Sequence, residues 1–229
     1  KTALDKYNKI YNKYDKLISP LLETTAPQKV VPGTTAKVAD VDIIYPTQTQ
    51  AKERKALRST TEYVENASKE LPLENVDVLS KELDGEFGLL TAENPMAQPL
   101  TEEENKQLNQ KAEEWLTSRG YNPRRITGKY NQAENSFFVP NLTKQDAIEF
   151  AKQFNQESVA HSDGLVYQDG SMNPRVKEND NLSFDESYSP DSDFVSVVNT
   201  KNGLKTFAIG YNFDEKVTPD QQATKKTDT

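Results

Sequence analysis

The amino-acid sequence predicts an α+β fold, with a small antiparallel or mixed sheet built of hairpins, two packed helices, and an extended helical N-terminal arm. Three observations predict it. Residues 120–170 alternate as strand, strand, helix, strand, strand, with a turn or helix breaker at each junction. A well-signalled helix precedes this stretch. A further hairpin follows it, because the segment 200–203 between its strands ends in Asn202-Gly203, a strong hairpin-turn signal.

The composition limits the class of protein. Only 34% of the residues are hydrophobic, and the formal net charge is −8. Because an acidic surface repels phosphates, we expect no broad nucleic-acid binding. The absence of cysteine excludes disulfides, thiolate metal sites and cysteine nucleophiles. No apolar run approaches the roughly 20 residues of a membrane helix. So small a core predicts that part of the chain is solvated or rests on a partner.

Residues 1–22 are predicted to form an N-terminal amphipathic helix, which the residue pair Ser19-Pro20 ends. Large apolar and tyrosine side chains recur along it with a heptad-like spacing and form one seam. The seam is our candidate partner-binding site, and it consists of Leu4, Tyr7, Tyr11, Tyr14 and Ile18. Tyrosine suits a half-hydrated contact. Docking on another protein, self-association, and packing on the chain's own domain all stay open.

Residues 23–50 contain three prolines and one glycine among many polar residues, which predicts an extended linker. Its one apolar run, residues 41–45, is a candidate edge strand. Residues 51–89 are predicted to be a helical and irregular arm. The apolar stripe of its first helix, which Pro72 ends, is too thin to hold a helix in water without a surface to lie on.

The predicted α+β domain covers residues 90–215 and begins with its best-signalled helix, over 101–119. Thr101 is the predicted N-cap, and Glu104 three residues later completes a capping box. Gly120 is the expected residue of positive φ after the helix. Trp115, the only tryptophan, is interpreted as a core anchor rather than a platform for a ligand.

Three hairpins complete this domain. Their predicted strands are 124–130 with 135–139, 158–161 with 165–167, and 194–199 with 204–211. Thr143 is expected to cap the helix between the first two hairpins. Residues 171–193 are predicted to be a polar, acidic loop, and residues 216–229 a disordered tail.

No set of catalytic groups stands out, and we predict no catalytic residues, no cofactor and no metal site. His161 is the only histidine, so a zinc site or a Ser-His-Asp triad would have to use it. We interpret it as a surface or strand-end histidine. The acidic residues of 171–193 lack the spacing of an EF-hand loop, which favours a solvated loop. Paired-carboxylate chemistry stays open, because no spacing singles out one pair of the 36 acidic residues.

One further pattern spans about half of the chain. It contains Gly120-Tyr121, Gly128-Lys129-Tyr130, Glu134-Asn135-Ser136-Phe137-Phe138-Val139, Asn155-Gln156-Glu157-Ser158-Val159 and Gly164-Leu165-Val166-Tyr167, with the lead-in Leu90-Thr91-Ala92-Glu93-Asn94-Pro95. With these features, residues 113–170 resemble a small uncharacterised α+β domain found in bacterial proteins and in tailed-phage and mobile-element proteins. The resemblance carries no established activity and no catalytic residues.

The resemblance, and a chain that begins at Lys1 rather than at methionine, favour a phage virion protein that is trimmed by proteolysis during assembly. The sequence is equally compatible with an excised piece of a longer protein. We expect a non-enzymatic, capsid-associated or packaged cargo protein that binds other virion subunits, or itself, through residues 1–75, with no membrane partner. The alternative is a host-modulating effector delivered to the host cytoplasm, or a small carboxylate- or metal-dependent enzyme. Outside a virion, we expect a cytoplasmic location.

Overall fold

The computed structural model describes residues 31–130, 132–182, 184 and 195–222. Its helices are α1 (Gln48–Arg58), α2 (Thr61–Lys69), α3 (Val76–Leu83), α4 (Glu102–Ser118) and α5 (Lys144–Gln153). The partner-binding seam of Leu4, Tyr7, Tyr11, Tyr14 and Ile18, and with it the predicted helix over 1–22, lies outside the described residues.

The strands of the described residues are β1 (Thr35–Val38), β2 (Val41–Ile44), β3 (Leu73–Glu74), β4 (Phe87–Leu90), β5 (Arg124–Tyr130), β6 (Gln132–Pro140), β7 (Ser158–His161), β8 (Gly164–Tyr167), β9 (Met172–Pro174), β10 (Val195–Thr200) and β11 (Gly203–Phe207). The α+β class is confirmed. The sheet is mixed, because β3 pairs in parallel with β10 while the other pairings of that sheet are antiparallel.

Local signals place α4 and α5 where the sequence predicts them, whereas the single helix predicted before Pro72 forms as two helices, α1 and α2. The Thr101 side chain accepts from the backbone of Glu104 while the Glu104 carboxylate accepts from Thr101, so the capping box is confirmed. Gly120 has φ +87°, as expected after α4. Thr143 caps α5. Trp115 packs edge-on against two phenylalanines of the helix α5 region, which confirms its role as a core anchor.

The main sheet has the order β11-β10-β5-β6-β4-β7-β8-β9. The three predicted hairpins are confirmed as β5–β6, β7–β8 and β10–β11. Strand β4 lies between β6 and β7, so a segment expected in the arm supplies a central strand. Gly88 of β4 leaves room for the Leu142 side chain, because a Cβ at this position would collide with it.

The two ends of this strand order meet. The chain after β11 runs beside the chain that follows β8, and isolated bridges join Met172 to Val217 and Asn181 to Ala208. Between these bridges, the N–H of Val176 donates to the carbonyl of Gly210 at 2.8 Å. The segment 208–217 therefore joins the two ends of the strand order, so that the sheet curls toward a barrel and β9 is covered at its outer edge.

The hairpin β1–β2 replaces the predicted linker over the described part of 23–50. Val41, Ile43 and Tyr45 alternate inward, and Ile43 is fully buried in the cluster that also contains the buried face of α4. The turn residues Ala39 and Asp40 have φ of 48° and 65°, the mirror-image turn that suits a hairpin. The predicted edge strand exists, but it pairs with β1 and not with the main sheet.

The segment 51–89, predicted to be an arm, is also part of the folded body. The apolar side chains of α2 and α3 pack on this chain's own sheet, where Val64, Leu79 and Leu83 are buried. The predicted disordered tail differs as well over residues 216–222. Val217 is buried, and its backbone exchanges two hydrogen bonds with Met172. Burial of these apolar side chains outweighs the polar composition around them.

Candidate functional site

A buried polar network begins at Glu93, in the segment that follows β4. Glu93 is 1% exposed. Its Oε2 accepts from Arg58 at 2.5 Å, and its Oε1 accepts from the side-chain amides of Asn109 at 2.9 Å and Asn135 at 2.8 Å. All of these contacts are to donors, which is the pattern of an ionised carboxylate.

Arg58, the last residue of α1, is the partner charge and is also 1% exposed. It donates to the carbonyl of Ala133 at 3.1 Å and to the carboxylate of Glu102 at 2.8 Å. Burial by itself lowers the pKa of Arg58, but the adjacent Glu93 carboxylate raises it above its ordinary value. Burial raises the pKa of the Glu93 carboxyl, and Arg58 opposes that shift. The pair is therefore held as an ion pair with its hydrogen bonds satisfied.

Asn94 carries this network through the sheet. Its backbone is left-handed, with φ 52°, and its N–H donates to the Asn105 side chain at 2.9 Å. Its side-chain oxygen accepts from the backbone of Leu100 at 3.0 Å, and its side-chain amide donates to Glu134 at 2.7 Å. One asparagine thus joins the start of α4 to Glu134, near the start of β6.

A groove lies on the helical side of the sheet, between α2 and α4 and above β5 and β6. Its volume is about 1190 Å³. Glu93 and Asn135 contribute to its floor, so the ion pair lies directly beneath it. Leu57, which is 59% exposed, and Pro72 form an apolar margin. We call this feature the helical groove.

A second cavity, partly open to solvent, lies on the other side of β5 and β6, and we call it the interior cavity. Its volume is about 170 Å³, and most of its lining is apolar. Glu134 is the acidic residue of the lining. Its Oε1 accepts from Asn94 and, at 3.3 Å, from the side-chain amide of Gln132. Burial raises the pKa of Glu134 to about 7, and the negative charge of Glu93 adds to the shift.

His161 takes no part in either site. It lies at the end of β7, which is the second of the two predicted positions, and it is fully buried rather than on the surface. Its Nε2 lies 2.9 Å from the carbonyl of Leu142, and its Nδ1 accepts from the backbone of Asp163 at 3.1 Å. Both ring nitrogens are therefore used to hold the loop ends around β7.

Part of the predicted acidic loop serves the closure of the sheet. Asp180 accepts from Arg175 at 2.6 Å and from the backbone of Gly210 at 2.7 Å. Other acidic residues of this loop, including Asp185 and Glu186, lie outside the described residues.

Within the described ranges, no group of three or more His, Asp or Glu side chains is placed to hold a metal ion. Among the same residues, none of the helices combines the length and the apolar character that a membrane crossing requires.

A family model described as "Protein of unknown function (DUF3293)" matches residues 90–159. No curated protein and no solved structure matches the chain significantly. The resemblance to an uncharacterised domain family is thereby confirmed for these residues. The matched segment contains Glu93, Asn94 and Glu134, whereas Arg58 and the closing segment 208–217 lie outside it.

Sequence reasoning did not single out the residues that the fold brings together. Arg58 is 35 positions from Glu93, and Asn94 is 40 positions from Glu134. The only available signal was that Glu93, Asn94 and Glu134 lie within motifs that carry the family resemblance. The seam of residues 1–22, predicted as the partner-binding site, is untested because it lies outside the described residues.

Proposed function

We propose that the protein is a non-enzymatic, virion-associated protein, capsid-bound or packaged as cargo, that binds other virion subunits. The partner-binding surfaces in this proposal are the seam of residues 1–22 and the helical groove. The virion assignment rests on the resemblance to domains of tailed-phage proteins. In this proposal the particle carries the protein and delivers it to the host cytoplasm.

The state of the charges beneath the helical groove is the observation that carries the proposal. Glu93 uses both carboxylate oxygens on donors from Arg58, Asn109 and Asn135. A catalytic acid or base must be available to the substrate, and this carboxylate is not. A partner that covers the apolar margin at Leu57 would bury hydrophobic surface without uncovering an unpaired charge. These features support binding rather than catalysis.

Purified particles from a host that expresses the chain provide the test. We expect the chain to co-sediment with particles through a density gradient, with its amount measured by mass spectrometry. Leu57→Asp in the helical groove and Tyr11→Asp in the seam are expected to reduce that amount severalfold. Val78→Asp is the matched control, because Val78 is 44% exposed and does not line the groove. A chain absent from particles would contradict the virion assignment. Normal incorporation of both variants would contradict the assigned surfaces.

The second candidate is an effector or enzyme that uses a carboxyl group. The observation in its favour is Glu134, whose pKa is raised to about 7 in a mostly apolar cavity, the range in which a carboxyl can act as general acid or base. Hydrolysis of model esters and glycosides by the wild type and by Glu134→Gln tests it. Equal rates in both proteins would refute the role of Glu134. Calorimetric titration with Ca²⁺ and Mg²⁺ tests the metal-dependent version, which predicts heat of binding.

A further inference from the structure

The position of the interior cavity in the fold is typical of a ligand site. It is lined by a sheet whose two ends are joined by backbone hydrogen bonds, including those between Met172 and Val217 and between Asn181 and Ala208. A sheet joined in this way resists collapse, because moving one strand disrupts the pairing of its neighbours. Interiors and mouths of such sheets are common places for small ligands in proteins.

The size and lining of the cavity limit what it can hold. A cavity of about 150 Å³ accommodates one benzene ring, and this one has a volume of about 170 Å³. Leu89, Ile126, Leu165 and Ile209 contribute to its wall. Gly128 keeps the wall open, because a Cβ there would lie 2.8 Å from the Ser136 hydroxyl. The space therefore suits an apolar body of one ring or a short branched chain.

The polar groups at the cavity select the chemistry of the ligand. Among the described residues, the lining contains one acidic side chain, Glu134, and one basic side chain, Lys129. The hydrogen bonds that Glu134 accepts from Asn94 and Gln132 both end on its Oε1. An ammonium group offers three N–H donors and a positive charge, which match the Glu134 carboxylate. Binding on this carboxylate therefore selects an amine over a ligand that carries a carboxylate.

We propose that the interior cavity binds a small apolar amine, with its hydrophobic body against the apolar wall and its ammonium group on the Glu134 carboxylate. This inference is independent of the proposed docking of virion subunits, which takes place on the opposite side of the sheet. It is also independent of catalysis, because a bound amine need not react.

Binding of such an amine is coupled to a proton on Glu134. The groups around that carboxyl are the donors Asn94 and Gln132, the charges of Glu93 and Arg58, and the cavity-lining residues Lys129, Tyr130 and Tyr211. Because the pKa of Glu134 is about 7, the carboxyl is mainly protonated at about pH 6. An ammonium ligand requires the carboxylate, so binding there releases up to one proton. At about pH 8 the carboxylate is already present, and little proton is released.

Isothermal titration calorimetry of the full chain with benzylamine tests the proposal. Toluene, which has the same ring without the amine, and benzoate, which has the opposite charge, are the comparison ligands. Titrations at about pH 6 in two buffers of different ionisation enthalpy measure the released proton, and titrations at about pH 8 provide the reference. We expect benzylamine to bind, tighter at the higher pH, and benzoate not to bind.

Two variants connect the binding to the cavity. Glu134→Gln is expected to weaken benzylamine binding about 10- to 100-fold and to abolish proton release, because a charge-assisted hydrogen bond is lost. Glu103→Gln, on the exposed surface of α4, is the matched control and should bind like the wild type. Ala160→Leu, which fills the cavity, should abolish binding while circular dichroism reports a folded protein. No benzylamine binding up to about 10 mM, equal binding by Glu134→Gln, or equally tight binding of toluene would overturn the proposal.

Discussion

The ion pair between Arg58 and Glu93 makes the most direct prediction about stability. Glu93→Ala leaves a buried guanidinium with the Ala133 carbonyl and the 63% exposed Glu102 carboxylate as its remaining acceptors. Removing one partner of a buried pair costs about 3–5 kcal/mol. Two side-chain amides also lose an acceptor, so we expect a loss of about 4–5 kcal/mol in the free energy of unfolding. For a protein of this size the loss corresponds to a fall in Tm of roughly 8–20 °C.

Urea denaturation at about pH 7, followed by circular dichroism and by the fluorescence of Trp115, measures this loss. Glu113→Ala is the matched control, because it breaks an exposed pair with Arg125 and should cost less than about 1 kcal/mol. The double variant Arg58→Met with Glu93→Leu removes both charges. It should recover most of the lost stability, because no unpaired charge stays buried.

Two results would refute this reasoning. One is a loss below about 1 kcal/mol for Glu93→Ala, which would mean that water or a rearranged acceptor replaces the carboxylate. The other is a double variant whose loss equals the sum of the losses measured for Arg58→Met alone and Glu93→Leu alone. That result would mean that Arg58 and Glu93 contribute independently.

Four further predictions follow from single contacts. Asn94→Ala should lower the free energy of unfolding by about 2–4 kcal/mol in urea denaturation. Alanine tolerates the left-handed backbone of this position less well than asparagine does, and the buried hydrogen bonds of the side chain are lost. Thr101→Ala removes the cap of α4 and should cost about 1 kcal/mol in the same assay. Gly164→Ala places a Cβ against the backbone of Asn173, and a fall in Tm of several degrees is expected. The pKa of Glu134 is raised from an ordinary value of 4.5 to about 7, so the folded state holds this proton more tightly than the unfolded state does. The free energy of unfolding should therefore fall as the pH rises from about 4.5 through about 7. Glu134→Gln should flatten this pH dependence, and an unchanged pH profile in the variant would contradict the prediction.

Local chemistry was readable from the sequence. The capping box of Thr101 and Glu104 and the hairpin turn over residues 200–203 depend on residues within a few positions of each other, and both form as predicted. The hairpin β1–β2 was missed because β1 is short and largely polar and the turn, Ala39-Asp40, lacks glycine, whereas β2 lies in the apolar run that was predicted as an edge strand. The alternation of apolar and polar residues in this hairpin could be interpreted only once the structure showed that it packs beside the apolar face of α4.

The packing position of helices with only a thin apolar stripe could not be predicted from the sequence in the same way. The apolar stripe of α2 requires a surface, and nothing in its own residues tells whether that surface belongs to this chain or to a partner. Val64 has the same character in either case, and its burial against the sheet is a property of the assembled fold. The prediction of an arm over residues 51–89 therefore failed for a physical reason.

The sequence by itself determined the α+β class, the capped starts of α4 and α5, and the three hairpins, because short-range hydrogen bonds and side-chain alternation select these structures. Only the tertiary structure decided the closure of the sheet and the meeting of Arg58 with Glu93 and of Asn94 with Glu134. These contacts join residues 35 or more positions apart. Their stability comes from desolvation and burial within the complete fold, which no local pattern encodes.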